Sequence, residues 1–386
     1  MTDAILALNA GSSSLKFALF RLDDGSNPIP IRRGELEHLD TASRQHEELG
    51  RLLDSLNDEL AGASLAAVGH RIVHGGREFV DPVILTDDVM TALAALTPIA
   101  PLHQPRSLDP VRALTALRPG LLQVGCFDTA FHHNLHPPVS RYAIPRAYEA
   151  QGVRRYGFHG LSYEYIAQCL RDISPTLAHR KTVAAHLGSG ASLCAMRDGQ
   201  SVDTTMGFTA LDGVVMGTRC GAIDPGILLY LQQACGLDVS AVEDLLYRKS
   251  GLLGVSGISG DMRVLMASAD PRAAEAIDLF TFSVSRAIAG MANSLGGLEC
   301  LVFTGGIGQH AAGVRARICR WIAWLGAALD EAANLRGADR ISSAASQVEV
   351  RIIVTDEEIV IARKVAALVQ RVDRPSPSGS NVLNNS

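Results

Sequence analysis

Short apolar runs that stop at glycine- and serine-rich breaks set the pattern of this chain. The run AILAL at 4–8 leads into NAGSSS at 9–14 and then the apolar-rich LKFALF at 15–20, which predicts strand, tight loop, strand. The run TVAAH at 182–186, LGSGAS at 187–192 and LCAM at 193–196 repeat that plan. Sliding the first segment along the chain superposes Ser14 and Leu15 on Ser192 and Leu193, so a duplicated domain is the simplest explanation. The match is short, and a chance likeness of two hairpins is the alternative. A third strand end is predicted at 300–303, followed by TGGIG at 304–308 and a helix over 309–321. Glycine there permits positive φ and close backbone approach, so that N–H groups can converge on an anion. A plain strand-to-helix turn would use the same residues.

Helical patterns are predicted over 46–60, 86–96, 109–117, 240–247 and 271–295, the last rich in small residues that favour close helix packing. Strands mixed with helices predict an α/β fold. The Pro-, Ser- and Asn-rich stretch from 371 to 386 reads as a mobile tail away from the chemistry.

A length of 386 residues favours two domains, each with its own core. Hydrophobic content of 47% is that of a globular chain, and a formal charge of −5 gives nucleic acid no support as a partner. Seven cysteines at 126, 169, 194, 220, 235, 300 and 319 form no CxxC, which fits a reducing cytoplasm. No basic segment precedes the run at 4–8, which is too short for a signal peptide or a membrane span.

Two segments each set one arginine among glycines: GHRIVHGG at 69–76, with Arg71, and MGFTALDGVVMGTRCGAIDP at 206–225, with Arg219. A guanidinium presents a planar fork that matches a carboxylate or a phosphoryl face. The alternative for either is a solvent-exposed charge or a structural ion pair. Two such cations beside three glycine-rich strand ends point to a kinase acting on a small acid.

Asp128, in GCFDTAFH at 125–132, follows an apolar strand; it either orients a reactant, holds a metal at one remove, or caps the next helix. His103, in PLHQP at 101–105, and His159, in YGFHG at 156–160, can donate to a phosphoryl oxygen or serve as structural histidines. No HxxxH or Cys/His cluster supports zinc, and the neighbours of Lys16 do not form a Walker A motif.

Taken together and in order, these motifs resemble the acetate kinase (acetokinase) family, within the sugar kinase, heat-shock ATPase and actin superfamily. The likeness runs from about 4 to 365. It implies duplicated ribonuclease H-like (actin-like ATPase) domains with an interdomain cleft. The first would span 1–132 and be completed by 364–370; the nucleotide-binding domain would span 133–363. The implied reaction is reversible transfer of the γ-phosphoryl group of ATP to acetate, giving acetyl phosphate and ADP, with Mg²⁺ (or Mn²⁺) and a homodimer.

By the same resemblance, Arg71 and Arg219 hold acetate and the moving phosphoryl group. Asp128 matches the catalytic carboxylate, His159 the donor to the phosphoryl group, and His103 a secondary histidine. Val73, Leu102, Phe158 and Ala210 match the methyl end of the acid site. Nucleotide contacts fall on Asn9, Ser14 and Lys16, on His186, Gly188, Ser189 and Gly190, on Asp261 and Arg263, and on Gly305, Gly306 and Gly308. Asn9 and Glu357 are implied to place the metal. Without the family, 356–358 reads as an acidic helix start.

The chain departs from the family pattern at several points. Ala210 replaces a proline, which predicts room for one more carbon and hence propionate as an alternative substrate. Ser189 replaces Asn, Leu161 replaces Thr, Tyr163 replaces His, Gln104 replaces Asn, and Gln309 and His310 replace Glu and Asn. These changes also leave open a catalytically weakened nucleotide-binding relative.

Overall fold

Each predicted strand–loop–strand begins a separate sheet. In the computed structural model, which describes residues 3–11, 14–23, 27–37, 42–60 and 63–373, the first sheet contains β1 (Asp3–Ala10), β2 (Ser14–Leu22), β3 (Pro28–Glu37), β4 (Ser64–Ile72), β5 (Val83–Ile84) and β6 (Leu122–Phe127). The second contains β7 (Thr182–Leu187), β8 (Ala191–Arg197), β9 (Gln200–Thr204), β10 (Cys300–Thr304) and β11 (Glu349–Ile352). Their orders are β3-β2-β1-β4-β6-β5 and β11-β10-β7-β8-β9.

Read from the antiparallel edge, the two sheets share one plan. In each, three antiparallel strands are extended by parallel ones: β1 pairs β4 and β4 pairs β6 in the first, and β7 pairs β10 and β10 pairs β11 in the second. The duplication inferred from two short loops is therefore present in the topology. The fold is α/β with two ribonuclease H-like sheets, as expected. Strands buried on both faces account for the apolar runs: Ala4 to Leu8 are all 0–1% exposed.

Compactness divides the chain into two units. The first comprises Met1–Val73, Asp81–Phe127 and Glu357–Ser386; the second comprises His74–Val80 and Asp128–Asp356. These boundaries differ from the divisions after 132 and 363 read from sequence, and local bonding explains the difference. The Asp128 carbonyl accepts from Gly160 N–H at 3.0 Å, tying 128–132 to the second unit. The helix Glu357–Asp373 lies wholly in the first unit, against β1 and β4. Gly69 permits this approach, because a Cβ there would meet Ile361 Cγ2 at 2.4 Å and Val365 Cγ2 at 2.6 Å.

Most helices match the predicted ones. Pro271–Leu295 agrees at both ends, and Asp270 caps it. The helix predicted from 109 starts earlier, at Gln104, because Pro105 suits a first turn. The helix predicted over 309–321 is instead two helices, Gly305–His310 and Ala312–Trp321. Buried Arg315 explains the break: its Nη1 takes the Gly308 and Gln309 carbonyls at 3.0 and 2.8 Å, which a continuous helix would have used. Of the predicted tail, 371–373 end the last helix, and 374–386 lie outside the described residues.

Candidate active site

In the first unit, parallel pairing of β1 with β4 sets Leu8 beside His70, so Asn9 and Arg71 follow one another across the strand ends. Arg71 Nη1 donates to Asn9 Oδ1 at 3.1 Å. Asn9 Nδ2 in turn donates to Glu357 Oε2 and Glu358 Oε1, both at 2.8 Å. Arg71 Nε stands 3.9 Å from Glu357 Oε2. The two carboxylates come from the first turn of the helix Glu357–Asp373, where the positive end of the dipole favours them. The acidic helix start and the family-implied carboxylate are thus the same residues. Glu358, not singled out from sequence, completes the group.

Other first-unit candidates surround this group to different degrees. Lys16 is the cross-strand neighbour of Asn9 and is exposed. Ser14 Oγ bonds to Glu35. His103 occupies the cap position of the helix Gln104–Leu117, directly after Leu102. Val73 is buried at the end of the Arg71 segment, its N–H 3.4 Å from Ser107 Oγ. Residues 12 and 13 of the first loop lie outside the described residues.

The second unit builds a second group around the loop from Gly188 to Gly190. A Cβ on Gly190 would lie 2.5 Å from Arg219 Nη2 and 3.5 Å from His159 Nε2, so the absent side chain leaves both nitrogens the same spot. Arg219 is braced by Nη1 donating to the Ala210 carbonyl at 2.7 Å. Its loop is tied to the glycine loop through Gly217 N–H to Ser189 O at 3.0 Å. Serine at 189 therefore supplies a backbone acceptor, a role that does not depend on its side chain.

His159 has left-handed backbone (φ 57°) at the cap of the helix Gly160–Ile173. Gly160 is required there, since a Cβ would meet the Asp128 carbonyl oxygen at 2.0 Å. Asp128 thus does hold the start of a helix, but through its backbone carbonyl, and the helix begins 32 positions further along the chain rather than directly after it. Its side chain is fully buried.

The His159 ring stacks on His186, centroids 4.4 Å apart and planes 16° apart. Its Nδ1 is 2.8 Å from Ser192 Oγ, and Ser192 Oγ is 2.6 Å from the Tyr163 hydroxyl. His186 Nδ1 is 2.9 Å from Ser162 Oγ. Burial pushes the Tyr163 phenol well above its ordinary value.

Phe158 is buried, its ring edge-on to His74 at 5.5 Å and its carbonyl 3.0 Å from His132 Nε2. Gly305 has φ 74° and lies against β7, where a Cβ would meet Leu187 O at 2.7 Å. Gly306 and Gly308 continue the short helix above Arg315. Asp261 caps the helix Met262–Ala267 and pairs with the exposed Arg263 at 2.6 Å.

Sequence reasoning missed the Ser192–Tyr163 pair, the part of Glu358 beside Glu357, and Arg315. Tyr163 carried a signal as a departure from the family histidine, and Glu358 as part of the acidic helix start; Arg315 carried none. Among the described residues no group of three or more His, Cys, Asp or Glu side chains forms a metal site, and no helix is long and apolar enough to cross a membrane.

Comparison with known proteins covers nearly the whole chain. The family model described as Acetokinase family matches residues 31–363. The acetate kinase of Rhodopseudomonas palustris is 48% identical over 390 residues, covering 95% of this chain and 98% of the relative. That of Rhizobium meliloti is 43% identical over 389 residues, with 95% and 98% covered. Among solved structures, a propionate kinase from Francisella tularensis has a TM-score of 0.84 at 35% identity, with 94% of this chain and 98% of that chain covered. Acetate kinase from Porphyromonas gingivalis gives 0.82 at 33% identity, with 95% and 100% covered. Likeness of this extent, in a chain whose own loops bring Arg219 and His159 to one glycine, establishes membership: this chain belongs to the acetokinase family.

Proposed function

We propose that this chain transfers the γ-phosphoryl group of ATP to acetate, reversibly, by in-line attack of the carboxylate, and that Arg71, Arg219 and His159 serve the transferred group. The observation that carries the reading is the meeting of Arg219 Nη2 and His159 Nε2 over Gly190. Two fixed donors beside a glycine loop suit the equatorial oxygens of a phosphoryl group in flight. Carboxylate and triphosphate repel each other, and the two guanidiniums offset that repulsion. Acetate is already ionised at neutral pH and needs no strong base. Asp128 is therefore a positioning residue, its carbonyl holding the turn that carries His159.

Magnesium fits the first-unit group. Asn9 Nδ2 holds two carboxylates at 2.8 Å each, giving a hard oxygen donor set that phosphates and water would complete. Glu357 and Glu358 would hold the ion, and Asn9 would orient them. When bound, the ion supplies charge neutralisation at the phosphates. ATP and ADP are the co-substrates of the family; His186 to Gly190 and Gly305 to Gly308 are assigned to the phosphate and adenosine sides, with Asp261 and Arg263 at the rim.

A second reading extends the substrate to propionate. Ala210 is buried and its carbonyl anchors Arg219, so the size of residue 210 bears on the space beside the acid-binding guanidinium. Val73, Leu102 and Phe158 would supply the rest of the apolar end.

A homodimer is also assigned. The helix Pro225–Gln233 carries no buried residue although it is strongly apolar, and Leu229 and Tyr230 are 55% and 61% exposed. An apolar helix face of that kind suits a second copy of this chain. The reducing cytoplasm is the compartment assigned, in keeping with seven cysteines none of which is in a disulfide.

The test is trapping of acyl phosphate with hydroxylamine during incubation with Mg-ATP and acetate, propionate or butyrate. Acetyl hydroxamate as the main product supports the reading; propionyl or butyryl preference moves the substrate, and no product with any acid ends it. Arg71→Ala and Arg219→Ala should each lower kcat/KM about a hundredfold or more while the protein stays folded.

A further inference from the structure

We propose that Tyr163 is a positioning residue that, through Ser192, fixes the His159 imidazole with its proton on Nε2. The proposal rests on His159 donating to the phosphoryl group, as read above.

The geometry assigns the two ring nitrogens different tasks. Nε2 faces Gly190, where Arg219 Nη2 also points. Nδ1 faces away and meets Ser192 Oγ at 2.8 Å. A neutral imidazole carries one proton, and whichever nitrogen lacks it presents a lone pair. A lone pair on Nε2 would repel a phosphoryl oxygen. A proton there would bind it.

Counting hydrogens decides which form the surroundings favour. Tyr163 and Ser192 are both fully buried, so each hydroxyl proton needs an acceptor. Among the described residues the one acceptor in reach of the Tyr163 proton is Ser192 Oγ at 2.6 Å. The His186 backbone favours the ionised phenol, as a donor does, and so does not take its proton. With Tyr163 donating to Ser192, the serine proton goes to His159 Nδ1. Both hydroxyl protons are then used, and the His159 proton is left on Nε2. In the reverse direction, with Nδ1–H donating to Ser192, one buried hydroxyl proton is left without an acceptor, which costs about 1–3 kcal/mol.

Tyrosine suits this task better than the histidine of the family pattern. A histidine at 163 would itself choose between two neutral forms and a cationic one. A phenol whose ionisation is suppressed by burial keeps its proton and has one direction in which to give it. Its ring packs edge-on to His132 at 5.6 Å and against Phe131, which keeps the phenol oxygen beside Ser192.

The test uses full-length protein labelled with ¹⁵N in its histidines, the His159 signals being identified by their loss in His159→Gln. In the unaltered protein, neutral His159 should show an unprotonated Nδ1 and a protonated Nε2. Tyr163→Phe, which keeps the ring and removes only the hydroxyl, takes from Ser192 Oγ the donor that polarises it and leaves that oxygen open to Nδ1–H, so it should shift population toward protonated Nδ1. It should lower kcat about tenfold while KM for ATP and acetate stays within twofold. Ser192→Ala should lower kcat similarly, and the double variant should lose little more than either single one, as expected for two links in series. A protonated Nδ1 in the unaltered protein overturns the proposal. So do an unchanged tautomer and kcat in Tyr163→Phe, or losses that multiply in the double variant. If Tyr163→Phe does not fold, the spectrum of the unaltered protein still decides. The tautomer is read without turnover, so failure of the relay is distinguishable from failure of the kinase reading, which the hydroxamate assay reports.

Discussion

Asn9 and Glu357 lie 348 positions apart, yet the Asn9 amide donates to the Glu357 carboxylate at 2.8 Å. The same nitrogen reaches Glu358, and its partner oxygen accepts from Arg71, so one small side chain links two anions and a cation. If that arrangement holds Mg²⁺, Glu357→Gln and Asn9→Ala should each raise the Mg²⁺ concentration needed for half-maximal rate on the order of tenfold or more. A magnesium titration of initial rate at fixed ATP checks this. Unchanged titration curves in both variants would remove the first-unit carboxylates from the metal's surroundings.

Gly190→Ala tests the meeting of Arg219 and His159. The new methyl would sit 2.5 Å from Arg219 Nη2, a distance that forces the guanidinium aside. A displacement of about 1 Å at a transferring group costs roughly a hundredfold in rate. The expected outcome is that loss in kcat/KM, with an unaltered circular dichroism spectrum. A variant within threefold of the parent would mean that the two donors need not share the space over this glycine.

Ala210→Pro tests substrate size. Restoring the family residue should lower the propionate-to-acetate ratio of kcat/KM, and one methylene bounds the change at about 1–3 kcal/mol. Parallel hydroxamate assays with both acids measure it. An unchanged ratio would place the size-determining contact at another position.

Three buried histidines set an acid limit on stability. His70, His74 and His132 are each at most 1% exposed, and burial lowers each to about 4. In the unfolded chain they bind protons below about 6.5, whereas in the folded protein they stay neutral until about 4. Stability is therefore full above pH 6.5 and falls as the pH drops towards 4, each group contributing about 1.4 kcal/mol per pH unit in that window. Thermal melts between pH 7.5 and 4.5 should show a steadily falling Tm. His70→Gln should make the slope shallower; an equal slope would mean that His70 does not take part.

Tyr230→Glu tests the assigned self-association. A charge on the exposed apolar helix Pro225–Gln233 should shift the sedimentation coefficient from dimer to monomer. A monomeric parent protein, or a dimer unaffected by the charge, would reject this face as the interface.

Much of this architecture is legible in the chain because local rules dominate it. The strands β1, β7 and β10 are apolar runs with glycine-rich ends, and Pro271–Leu295 has its cap, its first-turn proline and its terminal glycine in sequence. Arg71, Arg219 and His159 stand out because glycines flank them. What sequence hides is coupling over distance. Ser192 and Tyr163 are 29 positions apart and meet only because strand and helix pack face to face. Arg315 reads as a surface charge on an amphipathic helix, yet it is 1% exposed and clamps Asn334 O at 2.7 Å beneath the glycine turn. The strand β3 carries no apolar run, since exposed and half-buried residues alternate along most of it, and periodicity does not mark it.

The return of the helix Glu357–Asp373 to the first unit has a consequence for biosynthesis. A ribosome reaches Glu357 only after the entire second unit has been made. Until then Gly69 presents an uncovered apolar groove where Ile361 and Val365 will seat, and Asn9 lacks both carboxylates. The sheet of the first unit is thus synthesised ahead of the second unit and covered by its last helix only after it.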